Sequence, residues 1–383
     1  MPRDIFVSAG EPSGDLYAAR LARALRARGR DIRVTGFGGP QLAAVARGPV
    51  DGALLAGAVV GWTGVLRHLG RFARLLRATR RRWLARPPAA VVLVDYPGFN
   101  LRLATIARQL GIPAYYFSCP QVWAWGANRL LRMRRDLRIA YPILPFEVPL
   151  HQAFGIRSEF LGHPLLDLVP TRPPAAAPAL RRAGLDPHRP FAALLPGSRA
   201  EELTRHLPVM LAAARRVSAR HPRLQWVVIA APGARARLEF ACAADQVPGC
   251  RVVEDPGFAI RGHARFAWVA SGTATLELGL LGIPQTVLYR SHWLNWAIAR
   301  RVVKVPYIGL VNLVLGRGAI PELLQSAVTA KALAVTGGRM LRSAAMGGAR
   351  RNAADLRARL GTPGSFNRVA HAVLADLGRD RAT

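Results

Sequence analysis

The sequence predicts an α/β protein of two doubly wound, Rossmann-like domains facing a central cleft. Short apolar, β-branched runs alternate with stretches of helical pattern, the order that builds a parallel sheet covered on both faces. The alternation occurs twice, on either side of a Pro- and Ala-rich stretch at 170–190 that reads as a linker. At 383 residues the chain also exceeds what one hydrophobic core usually organises. The expected division is a first domain at 1–169, the linker at 170–190, a second domain at 191–345 and a helical, arginine-rich tail at 346–383.

In the first half, the apolar runs around Ile5-Phe6-Val7 and Val91-Val92-Leu93-Val94 set strands at Asp4–Ser8 and Val91–Asp95. Similar runs place strands at Ile32–Phe37, Pro113–Phe117 and Leu137–Tyr141. Helices fill the intervals at Gly14–Arg28, Val65–Leu84 and Leu101–Leu110. The second series has strands at Phe191–Leu195, Leu224–Ala230, Phe266–Ala270 and Gln285–Leu288. No internal repeat or low-complexity tract is visible. Ligands of such sheets sit beyond the carboxyl ends of the strands, so the loops that leave those ends are where chemistry is expected.

The charge narrows the class of partner. There are 54 basic and 22 acidic residues, a net +32, and Lys304 and Lys331 are the only lysines. That balance favours polyanions: nucleic acid, an anionic membrane surface or phosphorylated substrates. Coding bias towards arginine is the alternative source of the charge. No RNA-binding module or aromatic-interleaved basic sheet accompanies it, so nucleic acid is not the expected partner. Cys119, Cys242 and Cys250 have the spacing of neither a disulfide framework nor a metal knuckle, and a reduced, cytoplasmic protein is expected. The chain enters a strand-like run at once, without a signal-peptide apolar region. The uncharged stretch 109–128 is long enough to span a bilayer, but Gly111, Pro113, Pro120 and Gln121 break it as a helix. Gly52–Leu66 is too short. The expectation is a protein that lies on a membrane without crossing it.

Four loops carry candidate chemistry. Gly10-Glu11-Pro12-Ser13-Gly14-Asp15 joins a strand to a helix, where glycines admit a ligand and the helix N-terminus favours anions. Ser13 as a helix cap and Asp15 as a first-turn acid are the competing reading. Asp95 ends a buried strand and precedes Tyr96-Pro97-Gly98-Phe99-Asn100, a position suited to a general base or to capping the next helix. Pro196-Gly197-Ser198-Arg199 and Ser271-Gly272-Thr273 each follow a strand and open a helix; together they suit a diphosphate, with Arg199 as a charged fork. Glu277, one turn further, suits ribose hydroxyls. Either loop alone reads equally as a well-capped helix. From Val65 to Arg77, Leu69, Phe72, Leu75 and Leu76 form an apolar stripe beside Arg67, Arg71, Arg74 and Arg77. That is the pattern of a helix in a bilayer interface, and also that of a surface helix with a solvated basic face. Trp123 and Trp125 suit a hydrophobic groove or plain core.

The ordered motifs add up to a resemblance. Gly10 to Asp15, Asp95 to Asn100, Val122-Trp123-Ala124-Trp125, Leu144-Pro145-Phe146-Glu147, Gly162-His163-Pro164, Leu195 to Arg199, Ser271 to Glu277 and Pro321-Glu322-Leu323-Leu324-Gln325 are similar to the motifs of lipid-A-disaccharide synthases, in the same order. The resemblance implies a GT-B fold whose C-terminal helices pack across the domain boundary, swapped between subunits of a homodimer in at least some relatives. It implies an inverting transfer from UDP-2,3-diacylglucosamine to the 6-hydroxyl of 2,3-diacylglucosamine 1-phosphate (lipid X), without metal or cofactor, on the cytoplasmic face of the inner membrane. Asp95 matches the family's catalytic aspartate. Arg199, Ser271, Thr273, Glu277 and Asn312 match its UDP-binding face, joined by Gly197, Ser198 and Gly272 of the same loops. Ser13, Gly14 and Asp15 match the cleft loop, with Asn100, Trp123, Arg129 and His163 on the acceptor side. Leu69, Phe72 and Leu76, with Arg71 and Arg74, match the membrane-docking region.

Three positions depart from the family pattern. Gly64 stands where glutamate is usual, Gly126 where arginine is common, and Val311 where the family has proline before Asn312. Two lost polar groups bear on the acceptor side, while the UDP side is intact. A related lipid glycosyltransferase, a UDP-sugar epimerase and a catalytically lapsed membrane-binding relative are the alternatives.

Overall fold

The structure, a computed structural model, describes residues 3–58, 65–121, 128–245, 247, 249–291 and 306–379. The chain forms two compact units: Met1–Asp167 with Gly361–Thr383, and Leu168–Leu360.

In the first unit six parallel strands are ordered β3-β2-β1-β4-β5-β6. They are β1 Arg3–Ala9, β2 Ile32–Phe37, β3 Val50–Asp51, β4 Ala90–Val94, β5 Ala114–Phe117 and β6 Ile139–Tyr141. β1 and β4 lie at the centre and are buried on both faces, which is why they read as continuous apolar runs. Strand order reverses between them, so the loops leaving β1 and β4 flank the unit's topological switch point. β2 approaches β1 so closely that a Cβ at Gly36, where φ is +148°, would collide with the Val7 carbonyl. One side of the sheet is sealed by rings packed edge to face: Phe6 on Phe37 at 5.4 Å and on Trp83 at 5.1 Å between centroids.

The second unit repeats the plan, with parallel order β12-β11-β10-β7-β8-β9. Its strands are β7 Phe191–Leu195, β8 Gln225–Ile229, β9 Cys250–Val253, β10 Ala267–Ala270, β11 Gln285–Tyr289 and β12 Glu322–Leu324. Its switch point lies between β7 and β10. Trp226, Phe266 and Trp268 form the bulk of one core layer, the two indoles stacked at 5.2 Å. β3, β9 and β12 were not expected from sequence. All three are short outer strands with partly exposed faces, and so lack an uninterrupted apolar run.

Two expected boundaries move. The stretch read as a linker at 170–190 carries the helix Ala177–Arg182, and its Leu180 and Leu185 are buried in the second unit's core. Composition marked the stretch as loose; two leucines anchor it. The tail at 346–383 is not one piece. Helix Ser343–Leu360 packs on helix Thr273–Leu280, with Leu356 and Leu360 buried in the second unit. The chain then turns at Gly361 and Gly364, both at positive φ. Helix Ser365–Arg379 lies along helix Pro12–Arg26 of the first unit, with Phe366 against Tyr17. Asp376 fixes it there, accepting from Tyr115 Oη at 2.7 Å and pairing with Arg138 and Arg157.

Candidate active site

Asp95 sits at the carboxyl end of β4 in an unusual backbone. Both it and Tyr96 have φ of +52°, the left-handed region that costs residues with a Cβ about 1–2 kcal/mol each. The surroundings hold it. The Asp95 carbonyl accepts from Asn100 Nδ2 at 2.6 Å and from Tyr116 Oη at 2.7 Å. One carboxylate oxygen accepts the Tyr96 N–H at 2.8 Å. The elbow throws a partly buried carboxylate out of the strand where the next helix begins. Asn100 itself is fully buried: Nδ2 also donates to the Ser8 and Val94 carbonyls, and Oδ1 accepts from Ser8 Oγ at 2.6 Å. Expected on the acceptor side, Asn100 is instead the clamp that builds the elbow.

The loop after β1 faces that elbow across the switch point. Gly14 lies so that a Cβ would stand 3.7 Å from Asp95 Cβ, and Gly10 leaves the space that the Tyr96 ring fills. Ser13 is exposed in the first turn of its helix, which has Glu11 as its N-cap residue and no side-chain cap, so Ser13 does not cap it. Asp15 has a structural task. Its buried carboxylate accepts the N–H groups of Gly39, Gln41 and Leu42 at 2.7, 3.0 and 3.1 Å, capping the short helix Pro40–Ala43. Arg129, partly buried at the start of helix Asn128–Asp136, lies near enough to the Tyr116 phenol that its charge opposes the upward push of burial. His163 is buried, accepts the Leu165 N–H on Nδ1 at 3.0 Å and is driven by burial down to about 3. Its neutral ring braces the turn into helix Leu165–Leu168. Trp123, Gly64 and Gly126 lie outside the described residues.

In the second unit the loops after β7 and β10 flank the other switch point, as the paired phosphate motifs require. They are not equivalent. Gly197 has φ of +118° and no Cβ, which admits the Glu202 carboxylate; that carboxylate accepts the Ser198 and Arg199 N–H groups at 2.9 and 3.2 Å. The nest expected to hold phosphate through Gly197 and Ser198 is thus filled by the chain's own anion, and Arg199 is presented with its side chain 69% exposed. The second loop is open: Gly272 and Thr273 are exposed where helix Thr273–Leu280 begins, and Ser271 Oγ donates to the Ile308 carbonyl at 3.2 Å. Asn312 lies on helix Leu310–Leu315. Its amide is used entirely within the fold, donating to Ile320 O and Glu322 Oε1 and accepting from Ala319 and Ile320 N–H.

Three scaffold residues escaped the sequence reading. Glu202 occupies the third helical position, a capping-box signal that was available. His206 is buried and bridges the two sides of the site: Nε2 accepts the Arg290 N–H at 3.0 Å, which fixes Nδ1 as the protonated nitrogen donating to the Pro196 carbonyl at 2.9 Å. Arg261, from the turn Arg261–His263, pairs with Glu277, whose own pKa burial raises; nothing local marks that arginine out.

Comparison with known proteins decides the family of the chain. The family described as lipid-A-disaccharide synthetase (LpxB) matches residues 5–359. A lipid-A-disaccharide synthase of Anaeromyxobacter sp. (strain K) is 40% identical over 380 residues, covering 97% of this chain and 96% of the relative. That of Trichlorobacter lovleyi is 37% identical, covering 98% and 97%. The chain belongs to the lipid-A-disaccharide synthase family. Solved structures agree on the fold. A putative UDP-N-acetylglucosamine 2-epimerase from Listeria monocytogenes superposes with a TM-score of 0.69 at 13% identity, covering 99% of this chain and 98% of that one. The calicheamicin glycosyltransferase CalG4 gives 0.59 at 18%, covering 99% of each. The synthase is therefore a GT-B glycosyltransferase of lipid A biosynthesis.

The helix expected to dock this synthase on a membrane, Val65–Ala85, packs Phe72, Leu75 and Leu76 of its apolar stripe against the first unit's core. Phe72 packs on Tyr96 and Phe99, and Leu75 and Leu76 join the same core, a face that continues to buried Thr79 and Trp83. Phe72 and Leu76 are thus partly buried against the core; the Leu69 side chain lies outside the described residues. Arg71 is partly exposed, and Arg74, Arg77, Arg80 and Arg81 stand exposed on the opposite side.

Proposed function

We propose that the synthase divides its chemistry between the two units. The first activates the acceptor: the Asp95 carboxylate takes the proton of the 6-hydroxyl of 2,3-diacylglucosamine 1-phosphate. That oxygen bonds to the anomeric carbon of UDP-2,3-diacylglucosamine as the bond to the β-phosphate oxygen breaks. The electron pair leaves with UDP, and the anomeric centre inverts to a β-1,6 linkage. The second unit holds the UDP. The open amides at Gly272 and Thr273, together with Arg199, meet the charge that grows on the leaving diphosphate, and Glu277 takes the ribose. Asn312 and Glu202 shape these loops.

The observation that carries the reading is the Asp95 elbow. A left-handed, non-glycine pair at the switch point persists only because Asn100 and Tyr116 grip its carbonyl, and such overdetermined strain collects at reacting groups. The test is mass-spectrometric. Wild type and Asp95→Asn are incubated with both acylated sugars, and UDP and disaccharide are followed. Wild type makes disaccharide, and the variant loses about a hundredfold or more in kcat with the donor KM unchanged. A variant with wild-type turnover removes Asp95 as the base.

We also place the synthase on the cytoplasmic face of the inner membrane, as a peripheral homodimer. Among the described residues no helix is long and apolar enough to cross a bilayer. The exposed arginines of helix Val65–Ala85 supply the attraction to anionic lipid, at about 1 kcal/mol each near such a surface. Light scattering checks the dimer, which doubles the chain mass of 41.5 kDa.

A further inference from the structure

A carboxylate that reads a ribose must stay ionised and keep one oxygen for the sugar. Glu277 is placed for the second by a residue outside its own helix. Its Oε2 accepts from Arg261 Nη1, and its Oε1 takes no hydrogen bond from the described residues. Arg261 is itself held from several sides, its side chain only 13% exposed. Nε pairs with Asp255 Oδ2 at 3.2 Å, and Nη2 donates to the Asp255 carbonyl at 2.8 Å. The Asp255 carboxylate in turn accepts the backbone N–H groups of Ile260 and Arg261 at 3.0 and 2.8 Å. The Phe258 ring, on a residue at φ +62°, lies against the guanidinium 4.8 Å from its carbon. The fork is fixed before any ligand arrives, an expense of buried charge that a plain helix contact does not require.

We propose that Arg261 is the positioning residue that makes Glu277 a reader of ribose: it binds one carboxylate oxygen, leaves the other for the sugar hydroxyls, and so gives the synthase its preference for ribo- over 2′-deoxyribonucleoside diphosphates. The proposal rests on the reading of Glu277 as a UDP contact. Burial raises the Glu277 pKa, and the Arg261 guanidinium opposes that rise. Helix Ser343–Leu360, packed along the same helix, brings its charges to the far end: Arg350 beside Gly282 and Arg357 on the Leu280 carbonyl.

The experiment is calorimetric binding of UDP and 2′-deoxy-UDP to the full-length synthase, as wild type, Glu277→Gln, Arg261→Met and Arg261→Lys. The ratio of the two affinities is read within each protein, so a partly unfolded sample cancels. A charge-assisted hydrogen bond predicts about a tenfold to hundredfold preference for UDP in wild type. Glu277→Gln turns its amide oxygen to Arg261, offers NH2 to the sugar and loses the preference at every pH. Arg261→Met frees both carboxylate oxygens to turn and lowers the ratio to about twofold to threefold, whereas a merely structural role lowers both affinities together and leaves the ratio unchanged. Arg261→Lys keeps the charge without the fork and falls between, which carries the test if the methionine variant does not fold. A wild-type ratio in Glu277→Gln overturns the reading of Glu277 and the proposal with it. A collapsed ratio in Glu277→Gln beside wild-type ratios in both Arg261 variants overturns the proposal alone.

Discussion

Exchanging Asn100 for aspartate removes no volume, yet it reverses the polarity of the group that grips the Asp95 elbow. In the native fold Nδ2 points at three carbonyl oxygens, those of Ser8, Val94 and Asp95, at 3.2, 3.2 and 2.6 Å, with no access to solvent. A carboxylate there faces three like partial charges, so the introduced group is protonated and offers one hydrogen in place of the amide's two. At least one hydrogen bond is lost and one or more buried carbonyls are left short, about 2 kcal/mol together. Holding a carboxyl neutral costs about 1.4 kcal/mol per pH unit above its ordinary value of about 3.9, hence about 2 kcal/mol more at pH 5.5. The sign is fixed: a carboxyl whose folded pKa is raised is tolerated at low pH and destabilises increasingly as pH rises. The loss is therefore about 4 kcal/mol at pH 5.5 and greater at pH 8, a fall in Tm of about 8–16 °C at the lower pH for a unit of this size. Thermal unfolding of variant and wild type at both pH values measures it, and the difference between proteins cancels the titration of native groups. kcat falls as well, because the elbow relaxes towards ordinary backbone. A variant within about 2 °C of wild type at both pH values, or one more stable at pH 8 than at pH 5.5, refutes the account of the elbow.

The buried histidines predict acid sensitivity. His163, held neutral with its pKa pulled down to about 3, favours the folded state fully above pH 6.5 and loses that contribution as pH falls, about 2 kcal/mol by pH 5. His163→Asn keeps an acceptor for the Leu165 N–H and flattens the decline between pH 6.5 and 5 in urea titrations; an unchanged slope sinks the assignment. On helix Val65–Ala85, reversing Arg74 and Arg81 to glutamate removes two exposed cations and lowers partition onto anionic vesicles by about thirtyfold or more, with UDP affinity unchanged. Phe72→Ser behaves differently: its ring packs on Tyr96 and Phe99, so the expected result is a stability loss of about 2–4 kcal/mol in denaturant. A stable Phe72→Ser protein with weakened vesicle binding would reverse that assignment.

The loops at the switch points were legible because strand-to-helix loops announce themselves. Asp95, Gly14, Arg199, Gly272 and Thr273 were found from apolar runs ending in small or charged residues, and the sheet orders put each of their loops at a switch point. What the chain alone does not display is which polar residues the fold itself occupies. Asp15, Asn100, His163 and Asn312 all read as ligands, and each makes hydrogen bonds within the fold. An Asp or Asn beside a glycine-rich turn has the same local signature whether it binds substrate or caps a neighbour. Only the position of distant N–H and carbonyl groups separates the two.

The sequence by itself determined the doubly wound class and the strand-to-helix loops at the switch points, because period and punctuation are local properties of the chain. Tertiary structure decided which face of helix Val65–Ala85 is core, which anion fills the Ser198–Arg199 nest, and that Arg261 stands behind Glu277. Those are contacts between segments far apart along the chain. An amphipathic stripe satisfies a membrane and a sheet equally well, and a buried charge is defined by partners that no local window contains.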